Sequence, residues 1–169
     1  MMSKLQSNSN IRANYEKADL FGKISLVIST WFGIGLIPFA PGTFGTLGSL
    51  PLIFFLNNFG SIYKGAAMLI ISVAAIWSAG RTERLAGKHD PHQIVIDEVA
   101  GFLLTMILLP ISWLSLCSGF IFFRFFDILK PFPIKSAERL KGGFGIVIDD
   151  LIAGLYTCAC VKIIITLYG

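Results

Sequence analysis

Charge is what this sequence has least of. Only 14% of its 169 residues are charged, while 54% are apolar. A water-soluble domain usually has about 25% charged and about 45–50% apolar residues. A chain so poor in ionised side chains cannot cover a globule with polar surface. It must hide apolar area in a bilayer or in a large partner, and the bilayer is the simpler of the two. The mean hydropathy of +0.74 agrees. Cysteine is scarce as well: Cys117, Cys158 and Cys160 all stand in apolar text. Their spacing gives neither CxxC nor a zinc pattern, so they read as buried free thiols. No cleavable apolar leader precedes the polar first 23 residues. Also missing are a Walker A loop, a DxDx aspartyl-phosphate signature, an arguable Ser–His–Asp triad and any solenoid repeat.

What charge there is lies between apolar runs. The formal net charge is +4. No nucleic-acid motif accompanies it, and no nucleic-acid partner is expected. Arg81, Arg84 and Lys88 form one basic group, and five basic residues lie within 124–145. Basic residues flanking apolar segments fit cytoplasmic loops beside anionic headgroups. Residues 65–80 hold 16 uncharged positions and residues 99–123 hold 25, the latter broken by Pro110. The last apolar run, 146–168, opens near two aspartates. Residues 99–123 could form one tilted span or a shallow helical hairpin turning near Pro110; if 81–98 and 124–145 both face the cytoplasm, the hairpin satisfies this and a single crossing does not. Strand-like alternation is missing, and lipid-exposed backbone must satisfy its own hydrogen bonds. The expected fold is therefore all-α: a compact multi-helix integral-membrane bundle with short helices broken by Gly and Pro. Residues 1–25 read as a cytosolic tail and 26–169 as a single domain. Pro41 to Gly48 reads as a loop or a broken helix, and Leu47 to Phe59 as a first short membrane helix.

Acids inside apolar text carry the chemistry. Of ten carboxylates, five lie in or beside apolar runs: Asp97, Glu98, Asp127, Asp149 and Asp150. An acid at a membrane helix centre costs about 2.5–3.5 kcal/mol on insertion scales and persists when a cation, a proton or a basic partner compensates. The stretch Ile94–Gly101 echoes Ile146–Gly154, each an apolar triplet, two adjacent acids and a later glycine. Adjacent acids at a helix start point about 100° apart, so one can face a partner helix while the other faces a shared site. Glycines 101 and 154 follow Asp97 and Asp150 by one turn and permit close helix approach. Helix N-termini alone, which favour negative charge, explain one acid of each pair but not two. Together the five could offer oxygens to magnesium, a hard cation that binds carboxylates, water and substrate phosphate.

Two further groups suit an anionic substrate. Arg124, Asp127 and Lys130 recur every three residues, on one side of a helix, with Lys135 shortly beyond. Arg124 and Lys130 could clamp phosphate oxygens. In Pro41-Gly42-Thr43-Phe44-Gly45-Thr46, backbone amides and the hydroxyls of Thr43 and Thr46 could cradle an anion. His89 and His92 flank Asp90-Pro91. Either could act as general acid or nucleophile, and supporting roles in a loop are the preferred reading.

The blocks PGTFGTLGSLP, DPHQIVIDEVAG, FRFFDILKPFPI and GGFGIVIDDLIAGL, in this order, resemble the phosphatidylglycerophosphatase A family from about Gly35 to about Tyr156. The resemblance implies an all-helical, magnesium-dependent enzyme of the bacterial inner membrane. Such an enzyme removes the terminal phosphate of phosphatidylglycerophosphate, with its site on the cytoplasmic side. Its partners would be an anionic phospholipid and the bilayer; nothing in the sequence sets an oligomeric state. On the chemistry above, Asp97, Glu98, Asp127, Asp149 and Asp150 would be catalytic and would hold the metal. Thr43, Thr46, Arg124, Lys130 and Lys135 would bind substrate. Glu98 could act as general base, and a covalent aspartyl-phosphate on Asp97 or Asp149 stays open. A small cation or proton transporter with a carboxylate relay is the alternative. It has little use for Arg124, Lys130 and Lys135 beside its acids.

Overall fold

The structure is a computed structural model, and it describes residues 18–137 and 140–168. Every regular element among them is helical. In chain order these are α1 (Leu20–Ser29), a 3₁₀ turn (Ile34–Leu36), α2 (Pro41–Gly48), α3 (Leu50–Asn57), α4 (Ser61–Ala86), α5 (Ile96–Ile107), α6 (Trp113–Leu129), the single turn α7 (Ile134–Ala137) and α8 (Gly143–Tyr168).

Two helices, α4 and α8, are long and apolar enough to cross a membrane. Only 17% and 28% of their most apolar stretches are buried inside the protein, so these are not the core helices of a soluble fold. Their outer faces carry Leu69, Ile70, Val73, Leu155, Ile163 and Leu167, all exposed.

Between them in the chain lies a helical hairpin, the second of the two readings of residues 99–123. Helix α5 ends at Ile107, residues 108–112 turn with Pro110, and Ser112 caps α6 by accepting from the Ser115 amide at 3.1 Å. The arms run antiparallel: Phe102 meets Phe120 and Phe123 with ring centroids 6.4 and 5.7 Å apart, and the Met106 side chain lies against Gly119. At 1.5 Å per residue the arms are about 18 and 25 Å long, less than the roughly 30 Å of a hydrocarbon core.

Small residues set how closely these helices approach. A Cβ on Gly101 of α5 would lie 2.5 Å from the Asp150 carbonyl oxygen of α8, and one on Gly154 would overlap the Gly101 carbonyl. The Thr105 hydroxyl ties the crossing by donating to the Gly154 carbonyl at 3.0 Å. Helix α4 meets α8 in the same way, because a Cβ on Gly143 would overlap the Ile76 carbonyl. The spacing of Gly101 and Gly154 one turn below the acids therefore has the packing use expected of it. Below the crossing, Phe102, Leu103, Met106, Phe123 and Val161 fill the main core, with Ile53 and Leu56 of α3 packed in.

Of the two readings of the Pro41–Gly48 block, a loop or a broken helix, the structure shows the helix, interrupted at Ser49 before α3. Pro41 occupies its first turn, where a missing amide hydrogen costs nothing. Its glycines serve approach rather than turning: a Cβ on Gly45 would lie 2.7 Å from Val95 Cβ. The expected helix from Leu47 to Phe59 is instead broken at Ser49, and α3 is only eight residues long. That is about 12 Å, too short to cross alone. The tail expected over 1–25 lies outside the described residues up to 17, and helix already begins at Leu20, capped by Asp19.

Candidate active site

Helices α5 and α8 begin, and α4 and α6 end, at the same end of the bundle. Arg124 approaches Glu98, Lys130 pairs with Asp149, and Gly80 packs on Gly143. That end holds a cavity of about 250 Å³. All five predicted acids line it, together with Arg124 and Lys130. Ala40, Pro41 and Gly42 at the start of α2, and Asp90, His92 and Ile94 of the loop before α5, complete it.

The five acids divide into two sets. Asp97, Glu98 and Asp150 each offer an oxygen to a group whose members all lie within 4.8 Å of one another. Asp97 Oδ1 and Glu98 Oε2 are buried and have no hydrogen-bond partner among the described residues. A buried unpaired carboxylate oxygen is costly, so this cluster is built for something that binds oxygen. Asp97 and Glu98 precede the apolar arm of α5 and lie outside both long helices. Burial raises both carboxyls above the ordinary range, Glu98 to about 7, and the neighbouring Glu98 charge adds to burial at Asp97.

The other two acids hold cations closely. Asp127 forms an ion pair with Arg124 at 2.6 Å, one helical turn apart on α6, while the same guanidinium lies 3.7 Å from Glu98. Asp149 accepts the Lys130 ammonium at 2.7 Å through one oxygen and the Asp150 amide at 3.1 Å through the other. The cations are thus held at the wall of the same cavity that the central cluster lines.

Backbone strain concentrates here. Five non-glycine residues among those described have positive φ, and three of them, Ala40 (45°), Asp90 (43°) and Lys130 (45°), line the cavity. Such conformations cost about 1–3 kcal/mol each and persist where surrounding packing enforces them. Gly42 is held to glycine by the site itself, since a Cβ there would overlap Glu98 Oε1 and lie 3.0 Å from an Arg124 nitrogen.

Three predicted ligands stand elsewhere. Thr46 is fully buried on α2 and donates to the Gly42 carbonyl at 2.9 Å. Thr43 and Lys135 do not line the cavity, and Lys135 is exposed on α7. The helical form of the 41–48 block is the reason. It turns Thr46 onto the helix wall and brings the start of α2, where amides have no intrahelical acceptor, to the cavity instead. The sequence places His89 and His92 in a supporting loop, assigns no role to Asp90, and counts Gly42 only as part of the candidate anion loop. The signal for them was position: each belongs to a block that also holds a predicted acid or anion loop.

A carboxylate cluster beside two held cations, in an all-helical protein with two apolar helices, is chemically suited to a cation together with an anionic group. The chain matches the family model for phosphatidylglycerophosphatase A over residues 27–165 and belongs to that family. Named relatives agree. The phosphatidylglycerophosphatase A of Haemophilus influenzae is 38% identical over 83% of this chain and 88% of its own length. The Escherichia coli K12 protein of the same name is 36% identical over 76% of both chains. A Bacteroides thetaiotaomicron protein, 34% identical over 79% of this chain and 89% of its own, carries the provisional name phosphatidylinositol-3-phosphatase. No solved structure matches the chain. Nothing in these relationships favours the transporter alternative.

Proposed function

We propose that this protein hydrolyses the terminal phosphate monoester of phosphatidylglycerophosphate, releasing phosphatidylglycerol and inorganic phosphate. The observation that carries the reading is the convergence, in one cavity, of two buried carboxylates and the part-buried Glu98 with a held arginine and a held lysine. A transporter path gains nothing from the two cations. A phosphate monoester, with about two negative charges, needs them.

Asp97, Glu98 and Asp150 are the residues that would hold magnesium. The fit rests on their oxygen-only chemistry, their mutual approach within 4.8 Å and the two orphaned oxygens. When bound there, magnesium supplies Lewis-acid polarisation and charge neutralisation. The chain does the rest. Arg124 presents a planar fork of donors and Lys130 a compact charge to the phosphoryl oxygens. The Asp127 and Asp149 carboxylates hold those cations in place. Amides at the start of α2 add donors, and the bare Cα of Gly42 leaves room beside Glu98. Burial of the cluster excludes bulk water and strengthens each of these interactions.

The same reading places the protein in the bacterial inner membrane as a multi-pass bundle. Helices α4 and α8 would cross, α5 and α6 would enter and return, and the cavity would open to the cytoplasm. Cysteines substituted at Lys88 and Lys141, with the native thiols removed, should resist an impermeant reagent added to intact cells. Labelling of either from outside would break the shared-face topology.

The decisive assay is phosphate release by purified protein in detergent, with and without magnesium, from phosphatidylglycerophosphate and from phosphatidylinositol-3-phosphate. Magnesium-dependent release from the first is expected. Release from the inositol lipid alone would reassign the headgroup, and release from neither would overturn the phosphatase reading.

A further inference from the structure

We propose that His92 is the proton donor to the departing lipid alcohol. The inference rests on the phosphatase reading and concerns a step that the acids and the clamp leave unassigned. Hydrolysis of an alkyl phosphate expels an alkoxide, which is a poor leaving group unless it is protonated as it departs. Positioned general acids contribute about 10²–10⁴-fold to such steps.

The cavity offers few groups for this. Asp97, Glu98 and Asp150 form the oxygen cluster, and the Asp127 and Asp149 carboxylates hold cations. An arginine side chain keeps its proton throughout, and the Lys130 ammonium is held by Asp149 at 2.7 Å, a contact that favours its charged form. The loop before α5 adds the remaining pair, Asp90 and His92. Of these, an imidazole is the group whose ordinary pKa lies near neutrality, so it can both give a proton and regain one.

The two histidines of the chain, three residues apart, have different surroundings. His89 is exposed and pairs with Glu83 at the end of α4, and it does not line the cavity. His92 is half-buried and does. Its loop is also held firmly. The Val95 amide donates to the Ser29 carbonyl at 2.9 Å and the Ile94 amide to the Pro91 carbonyl at 2.8 Å. Gln93 is fully buried, and its carbonyl lies where a Cβ on Gly35 would be. Asp90 enters the loop in the left-handed conformation, at φ 43°. A chain pinned on both sides of one histidine, at a strained approach to a polar cavity, suits a proton donor that must be held in place.

The step balances. The water oxygen forms a bond to phosphorus as the phosphorus–ester oxygen bond breaks. The electron pair of that bond stays with the ester oxygen, which takes the imidazolium proton and leaves as the alcohol. One water hydrogen stays on the inorganic phosphate, and the other proton, through solvent, restores the imidazolium.

A bridging-sulfur analogue of the same lipid phosphate tests this, because a thiolate leaves without needing a proton. His92→Gln and His92→Asn should each lower kcat on the oxygen ester by about 100-fold or more, and on the sulfur ester by no more than about threefold. Magnesium affinity without substrate should be retained, and His89→Gln should match the parent on both esters. Equal losses on the two esters in both His92 variants would make His92 a structural or positioning residue and overturn the assignment, as would full activity of either variant. Failure of the parent enzyme to release phosphate from the oxygen ester would instead sink the underlying phosphatase reading, so the two failures are distinguishable.

Discussion

Asp149 and Asp150 are neighbours on one helix and carry the same functional group, yet the fold gives them opposite surroundings. Asp150 meets Asp97 and Glu98 in an oxygen cluster whose nearest cation contact is Arg124, 3.7 Å from Glu98. Asp149 instead closes on Lys130 at 2.7 Å. Glu98 and Asp127 contrast similarly, since Arg124 lies 3.7 Å from the first and 2.6 Å from the second. The lesson is that carboxylate count alone does not describe this cavity. Lys130 and Arg124 lie close to Asp149 and Asp127, with Arg124 farther from Glu98, so an added cation would gain less from the two closely paired acids than from the other three.

The strongest way to break this contrast is to remove charge from each set. Asp97→Asn and Asp150→Asn should lower turnover by about 1,000-fold, since a hard cation needs the charge that Asn lacks. Magnesium affinity, read by titration without substrate, should fall with it. Near-normal magnesium affinity in either variant would remove that residue from the cluster's role.

Asp127→Asn and Asp149→Asn should behave differently. Loss of a supporting partner typically costs about 10–100-fold in activity. Turnover should fall in that range while magnesium affinity stays within about threefold. A collapse of magnesium affinity in these variants would erase the distinction and return all five acids to one shell.

Gly42→Ala sharpens the comparison from the substrate side. Its methyl group would overlap Glu98 Oε1 and crowd Arg124, its nearest neighbours. Misplacement of this kind should cost about tenfold in turnover, with helix content by circular dichroism unchanged. Full activity would show that the cluster relaxes freely. The smallest effect is expected at Lys135, exposed on α7 and outside the cavity. Lys135→Ala should stay within about twofold in the phosphate-release assay, as for surface changes generally. A tenfold loss would restore it to the clamp.

Much of the fold was legible in the chain. The hairpin over 99–123 followed from basic residues on both sides and Pro110 between, and the α5–α8 crossing followed from glycines one turn below paired acids. The helical state of Pro41–Gly48 was harder to read, because Gly and Pro mark turns in most settings and mark close helix contact in this one. That difference depends on what packs against the segment, here Glu98 and Val95.

The sequence by itself pointed to the class of fold. Too few charges to cover a soluble globule, and five acids and two basic residues embedded in apolar text, together call for apolar helices around a polar cavity. Those are properties of composition and spacing, which need no knowledge of the partner segments. Tertiary structure alone decided how the cavity is divided: which acid of each pair meets the cluster, that the Thr46 hydroxyl bonds back to Gly42 within its own helix, and that His92 rather than His89 lines the cavity. Adjacent side chains on a helix differ by about 100° in direction. Sequence shows that the two must face different ways, but which way each faces depends on where the neighbouring helices lie. Here close glycine contacts between α5, α8 and α4 set those positions.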